Sequence, residues 1–267
     1  KRSASISCAV RNSSRRKSGT GGHHGRAPPL QRVLQQEPRH AAVEGVDVVV
    51  HTPAWHGIHL RERLERDFWE VNVDGTFNVL QAAVAGGARK VVWISSTSVR
   101  SRENIYGLSK VLGEELCAYH HRVHGLRCLV LRPGNFTPYR SNREYGERLA
   151  RGGVDRRDVH QAAALAVDNE TVEYGVFVVL QDMLYTPADV EAWPDDPAAV
   201  LERHVPGARG LVERYAISLP ERISPPDTAP TREALGYRPR YTFLGFLREL
   251  ADHDTAGDAT AWLDGGR

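Results

Sequence analysis

Apolar residues fall into short β-branched runs separated by longer amphipathic stretches, beginning near residue 41. Val46-Asp47-Val48-Val49-Val50-His51 is nearly continuous in apolar character and predicts a strand buried on both faces. Residues 60–86 follow with helical spacing, Phe68, Val71, Gly75, Val79 and Ala83 recurring at steps of three and four, and Gly86-Gly87 stops them. Val91-Val92-Trp93-Ile94-Ser95 predicts a second buried strand, and residues 105–123 a long helix with Leu108, Val111, Leu112, Leu116 and Tyr119 on its core side and Gly125 as its stop. Leu129-Val130-Leu131 is a third strand, closed by Arg132-Pro133-Gly134. Strand and helix alternating at this spacing predict right-handed βαβ units and a parallel sheet.

The second half is less regular. A helix is expected over residues 157–167, a strand over 175–180, a short helix from Pro187, and a last helix over 243–251, with a Pro-rich, broken stretch over 194–230 between them. The expected domains are an opening segment 1–40 with little order, a core 41–137, and the remaining strand with a small substrate-facing lobe over 138–267.

Composition narrows the class. With 41% hydrophobic and 25% charged residues the chain has the make-up of a soluble globular protein. No run of eighteen apolar residues is present, so no membrane span is expected. A net charge of +2 gives no whole-chain reason to expect nucleic acid as a partner. Cys8, Cys117 and Cys128 match neither a disulfide framework nor a zinc site, and a reducing, cytoplasmic location is the expectation. Residues 1–26 carry seven Lys and Arg and no Asp or Glu. A disordered end is the first reading of them, with a transit peptide or a basic arm for an anionic partner as alternatives.

The candidate chemistry centres on Tyr106-Gly107-Leu108-Ser109-Lys110 at a helix start. Residues four apart lie one turn apart on one face. A cationic Lys beside a phenol favours the phenolate and brings it towards service as an acid/base near neutral pH. Just upstream, Ser95-Ser96-Thr97-Ser98 leaves the end of a strand, where open α/β sheets bind ligands. Two other groups give weaker signals. His120 and His124 have the spacing of a metal pair but no third ligand, and cations are favoured at a helix C-terminus in any case. Cys117 and Cys128 read as packing residues.

Taken in order, the motifs resemble the extended short-chain dehydrogenase/reductase family, also called the NAD-dependent epimerase/dehydratase family. The strand ending in His51, Asn72-Val73-Asp74-Gly75-Thr76, Ile94-Ser95-Ser96-Thr97-Ser98-Val99, the Tyr106/Lys110 pair and Leu131-Arg132-Pro133-Gly134-Asn135 all correspond. More loosely, so do Asp155-Arg156-Arg157-Asp158-Val159 and Leu235-Gly236-Tyr237-Arg238-Pro239. The resemblance implies a Rossmann-like, doubly wound parallel sheet with a small mixed C-terminal lobe. It implies NAD or NADP as cofactor and oxidoreductase, epimerase or dehydratase activity on a carbonyl or alcohol of a small molecule, such as a nucleotide sugar. It implies Tyr106 as general acid/base and Lys110 as the group that holds the nicotinamide ribose and lowers the Tyr106 pKa. Ser96 becomes their hydroxyl partner, with Thr97 as the alternative. Thr52, Pro53 and Ala54 pass the cofactor, as do Ser95, Pro133 and Asn135, and Asn72 serves as a helix buttress or cofactor-side residue. A homodimer through the helices at 60–86 and 105–123 follows by the same analogy.

Two departures stand out. The family's N-terminal βαβ unit, with its glycine-rich phosphate turn, cannot be placed, and Thr20-Gly21-Gly22-His23-His24-Gly25 has only the composition of such a turn. The second reading is therefore a cofactor-deficient, catalytically inactive relative serving as a binding or regulatory module. Also, only ten positions separate Ser96 from Tyr106, a short loop in which Arg100 and Arg102 read as surface residues.

Overall fold

The computed structural model describes residues 3–6 (as backbone), 43, 45–136 and 139–266. The fold is α/β and Rossmann-like. Its sheet has five strands in the order β1 (Ser3–Ile6), β2 (Val48–His51), β3 (Lys90–Ile94), β4 (Arg127–Pro133), β5 (Tyr174–Val179). β1 and β2 run parallel with Ser3 opposite Val48, and β2 and β3 run parallel with Val48 opposite Lys90. The β1 pairing corrects the expectation that order starts near residue 41. The signal was too short to read: Ser3-Ala4-Ser5-Ile6 holds two serines and no β-branched run. The Thr20–Gly25 stretch, His23, His24 and Cys8 lie outside the described residues.

The chain divides into two compact units, residues 1–130 with 170–176 and residues 131–169 with 177–267. In the first, a single helical run follows β2: α1 (Glu65–Phe68), a π-helical segment at Trp69–Asp74 and α2 (Gly75–Ala85). β3 leads through a 3-10 turn at Thr97–Arg100 into α3 (Ile105–His124). Asn104 caps α3 by accepting from the Gly107 N–H at 2.9 Å. Gly125 ends it at φ 67°, a left-handed conformation that a glycine takes without steric cost. Val49, Leu80, Ala83, Val91, Trp93, Cys117, Cys128 and Val130 form the core between sheet and helices.

The long helix corrects the sequence reading of its faces. Tyr106, Ser109, Lys110, Gly113, Glu114, Cys117 and His120 are the buried side, while Leu108 and Tyr119 are exposed and Val111, Leu112 and Leu116 half-buried. The polar face can go inward because the end of β3 supplies hydrogen-bond partners, which is the condition for burying polar groups. His120 is likewise satisfied within the helix layer, its Nδ1 2.8 Å from the Leu116 carbonyl and its Nε2 3.3 Å from Gln81 Nε2.

The second unit holds α4 (Asn142–Ala150), α5 (Arg156–Asp168), α6 (Pro187–Ala192), α7 (Pro197–His204), α8 (Ala208–Arg214), α9 (Ala229–Leu235), α10 (Phe243–Ala256) and α11 (Ala259–Asp264). Its core is built on Tyr145, Trp193, Leu201, Phe243, Phe246 and Leu250. The Asp158 and Tyr237 motifs, separate in sequence, meet here. Asp158 Oδ1 accepts from the Arg240 N–H at 3.0 Å and its Oδ2 from the Tyr241 N–H at 3.1 Å, while the Tyr237 hydroxyl donates to the Leu180 carbonyl at 3.0 Å. Among the described residues no helix is long and apolar enough to cross a membrane.

Candidate active site

Tyr106 stands in the first turn of α3, buried, near Ser96 at the end of β3, whose hydroxyl opposes the effect of burial on the phenol. Ser96 is itself fixed by the short loop that follows it. Its Oγ accepts from the Ser98 N–H at 3.1 Å and so caps the 3-10 turn. A loop of ten positions suffices because the turn closes tightly: a Cβ at Gly107 would lie 2.0 Å from the Ser101 carbonyl oxygen. Arg100 and Arg102 are exposed on it.

Lys110, one turn along, donates from Nζ to the Ile94 carbonyl at 2.9 Å. Its ammonium lies 4.9 Å from the Trp93 ring centre and 5.9 Å from that of Tyr106. Gly113 lets α3 approach the strand this closely, since a Cβ there would fall 2.3 Å from Trp93 Cζ2. Ser95 Oγ donates to Glu114 Oε1 at 2.5 Å. Two consecutive residues at the end of β3 thus each hold one turn of α3, Ile94 holding Lys110 and Ser95 holding Glu114, and Ser96 comes next, near Tyr106.

Asn72 sits in the π-helical segment, whose extra residue per turn re-aims side chains. Its Oδ1 accepts from the Trp55 N–H at 2.7 Å; its Nδ2 donates to the Trp55 carbonyl at 2.9 Å and to Ser109 Oγ at 2.9 Å. The buttress reading of Asn72 fits these bonds, which tie the loop after β2 to the helix bearing Tyr106. That loop contains Thr52, Pro53 and Ala54, all half-buried. Pro133 and Asn135 belong to the second unit, where Pro133 is buried at the end of β4 and the Asn135 carbonyl accepts from the Val154 N–H at 3.1 Å.

The electrostatics differ from the simple Tyr-Lys expectation. Burial pushes the Tyr106 phenol up, opposed by the nearby Ser96 hydroxyl. The lowering by Lys110 expected from spacing does not govern, because Lys110 is itself desolvated and turned to the Ile94 carbonyl. Burial pulls Lys110 down to about 8, opposed by Glu114 and Cys117. His51, at the end of β2, is held neutral by burial and by Lys110, at about 3. Thr76 gives its proton to the Asn72 carbonyl at 2.6 Å, so its oxygen accepts from His51 Nε2 at 3.2 Å, which leaves Nδ1 as the bare nitrogen. His56 stacks obliquely on Tyr106, ring centres 6.0 Å apart, and burial lowers it to about 4. Sequence reasoning missed Glu114 and His56. Glu114 did leave a signal, a carboxylate on the same helical stripe as Tyr106 and Lys110, at positions i, i+4 and i+8.

Parts of the chain are similar to known proteins. Residues 31–152 match the profile of the NAD dependent epimerase/dehydratase family. These residues, a little under half of the chain, are similar to that family. A uronate dehydrogenase of Pseudomonas syringae pv. tomato is 28% identical over 204 residues, spanning 61% of this chain and 71% of that protein. An L-arabinose 1-dehydrogenase (NAD(P)(+)) of Haloferax volcanii is 32% identical over 127 residues, spanning 35% of this chain and 46% of that protein. The fold of this chain is similar to that of a short-chain dehydrogenase/reductase superfamily protein of Agrobacterium tumefaciens solved with bound NAD (TM-score 0.58, 18% identity, 86% of this chain and 85% of that one). It recurs also in UDP-glucuronic acid 4-epimerase of Bacillus cereus in complex with NAD (TM-score 0.56, 15% identity, 80% and 74%).

Proposed function

We propose that this chain is an NAD- or NADP-dependent oxidoreductase, epimerase or dehydratase acting on a hydroxyl or carbonyl of a sugar, sugar acid or nucleotide sugar. The observation that carries this reading is the buried Tyr106 near the strand-end Ser96, with the Lys110 ammonium one turn away and 5.9 Å from its ring centre. The nicotinamide-ribose half of a cofactor fits these residues. An ammonium has three N–H donors, and the Ile94 carbonyl accounts for one of those of Lys110. Thr52, Pro53, Ala54, Ser95, Pro133 and Asn135 are the further residues assigned to the cofactor side. The bound nicotinamide would supply the hydride chemistry. Tyr106 would take the proton from the substrate hydroxyl or return it to the carbonyl, Ser96 would orient that oxygen, and Lys110 would hold ribose hydroxyls and stabilise the phenolate.

A specific observation supports the second reading, a relative without cofactor. In this sheet β1 lies beside β2, yet the sequence after it, Ser7-Cys8-Ala9-Val10-Arg11-Asn12, contains no glycine. A dinucleotide-binding turn opens on glycines directly after the first strand. Titration with NADH and NADPH followed by fluorescence decides between the two. Micromolar binding with turnover of a uronate, L-arabinose or a UDP-sugar is the expected result; no binding up to millimolar cofactor would replace it with the second reading.

The exposed apolar positions Phe77, Leu108 and Tyr119 on α2 and α3 support pairing with a second copy through these helices. Sedimentation of Tyr119→Glu is expected to give a lighter species than the unmodified chain.

A further inference from the structure

We propose that Glu114 is a positioning residue for Lys110: anchored by Ser95, its carboxylate keeps the buried ammonium charged and aligned beside Tyr106. Tyr106, Lys110 and Glu114 occupy successive turns of one buried face of α3. Lys110 and Glu114 are held to the end of β3 by Ile94 and Ser95, and the Ser95–Glu114 bond, at 2.5 Å, is the short, charge-assisted kind. A buried ammonium bound only to a neutral carbonyl pays a large desolvation cost, and a carboxylate one turn away offsets it. The groups that face Lys110 are consistent with this assignment. On α3 they are Tyr106, Glu114 and Cys117; from β2 there is His51, from the following loop His56, and from β3 the Trp93 ring and the Ile94 carbonyl. Both histidines are neutral and therefore leave the ammonium without help, and Cys117 shares its proton environment with Cys128. Glu114 is thus the carboxylate in this set. The inference rests on the roles given to Tyr106 and Lys110 above, but its test does not depend on activity.

The chain has four lysines, Lys1, Lys17, Lys90 and Lys110, so lysine-selective 13C labelling gives few ε-carbon resonances to follow with pH. Lys110 is assigned by its loss in Lys110→Arg, and Lys90, at the opposite end of β3, is the internal control. In the full chain without cofactor, Glu114→Gln is expected to lower the Lys110 midpoint by about one pH unit, with Lys90 unchanged. Ser95→Ala, which keeps the charge but frees the carboxylate, is expected to lower it by less, and Glu114→Asp to restore most of it. An unchanged Lys110 midpoint in Glu114→Gln overturns the proposal. Should that variant fail to fold, an unchanged midpoint in Ser95→Ala does the same. Failure of NADH to bind would overturn the oxidoreductase reading and leave the lysine titration to judge Glu114 by itself.

Discussion

Asn72 Nδ2 donates to Ser109 Oγ at 2.9 Å, and Ser109 Oγ donates to the Tyr106 carbonyl at 2.8 Å. One amide therefore braces the loop after β2 and the first turn of α3 together. Asn72→Ala would strand the Trp55 N–H and carbonyl in the interior. The expected cost is about 3 kcal/mol, read from urea unfolding, since a buried group left unpaired loses its full desolvation energy. Asn72→Asp should also destabilise, because a carboxylate cannot donate to the Trp55 carbonyl. Unchanged stability in both would remove Asn72 from its bracing role.

Why the sequence conveyed some of this and not the rest follows from the kind of signal each feature leaves. β2 and β3 announce themselves through β-branched runs, β4 through the apolar Leu129-Val130-Leu131, and α3 through its apolar spacing and the Gly125 stop. The buried face of α3 was misread because periodicity counts apolar residues. Here Ser95 and Ile94 satisfy the two charged ones and Ser96 lies near the third, so the inward stripe is Tyr106, Lys110, Glu114 and not Leu108, Val111, Leu112. β1 was missed for the opposite reason, as a four-residue stretch with one strand-favouring side chain, Ile6, adopts strand geometry by pairing with β2.

Tyr106→Phe removes the proton carrier while keeping the ring against His56 and Gly57. Turnover of whichever sugar is oxidised should fall about a hundred- to ten-thousand-fold, the usual worth of a positioned acid/base. NADH affinity should change little, because Lys110 remains. A variant of near-normal turnover would move the proton transfer to another residue.

Gly113→Ala places a methyl 2.3 Å from Trp93 Cζ2, so α3 or the indole must shift. Overpacking of this kind costs about 1–3 kcal/mol. Because Gly113 lies between Lys110 and Glu114, the same shift should loosen the bonds to Ile94 and Ser95. Near-ultraviolet circular dichroism of the tryptophans, together with urea unfolding, checks it; an unaltered spectrum and midpoint would mean that the strand and helix have slack here.

Acid sensitivity follows from His51 and His56. Both have folded-state pKa values below the ordinary 6.5, about 3 and about 4, chiefly through burial. Below pH 6.5 the unfolded chain binds protons at these rings and the folded chain does not, so stability is lost as pH falls through the window from 6.5 to 3. For fully buried His51 the loss is about 1.4 kcal/mol per pH unit. Lys110 acts in the same direction at the other end: with its folded value near 8 against 10.5, stability rises with pH between those values. Urea midpoints from pH 4 to 7 are expected to rise less steeply for His51→Gln than for the unmodified chain, and equal slopes would count against His51 as the titrating group.

Asp158 is the structural hinge of the second unit's motif pair. Its two oxygens accept from the Arg240 and Tyr241 N–H groups, and the Asp155 carboxylate nearby is taken by Arg157 and the Tyr145 hydroxyl at 2.7 Å. Asp158 therefore holds the segment after Tyr237 against α5, and its side chain, almost wholly buried, is engaged by backbone donors. Replacement by Ala leaves two partly buried amide donors without their acceptor, a cost of about 1–3 kcal/mol. Asn keeps one acceptor oxygen but turns an NH2 towards the second donor, so it should fall between Asp and Ala. Local opening should precede global unfolding, because the segment is tied at few points. Hydrogen exchange by mass spectrometry is expected to show faster exchange at residues 240 and 241 in Asp158→Ala, with the Tyr106 region of α3 unaffected. Exchange at 240 and 241 that stays at the unmodified rate would show that Tyr237 and its bond to the Leu180 carbonyl hold the segment without Asp158.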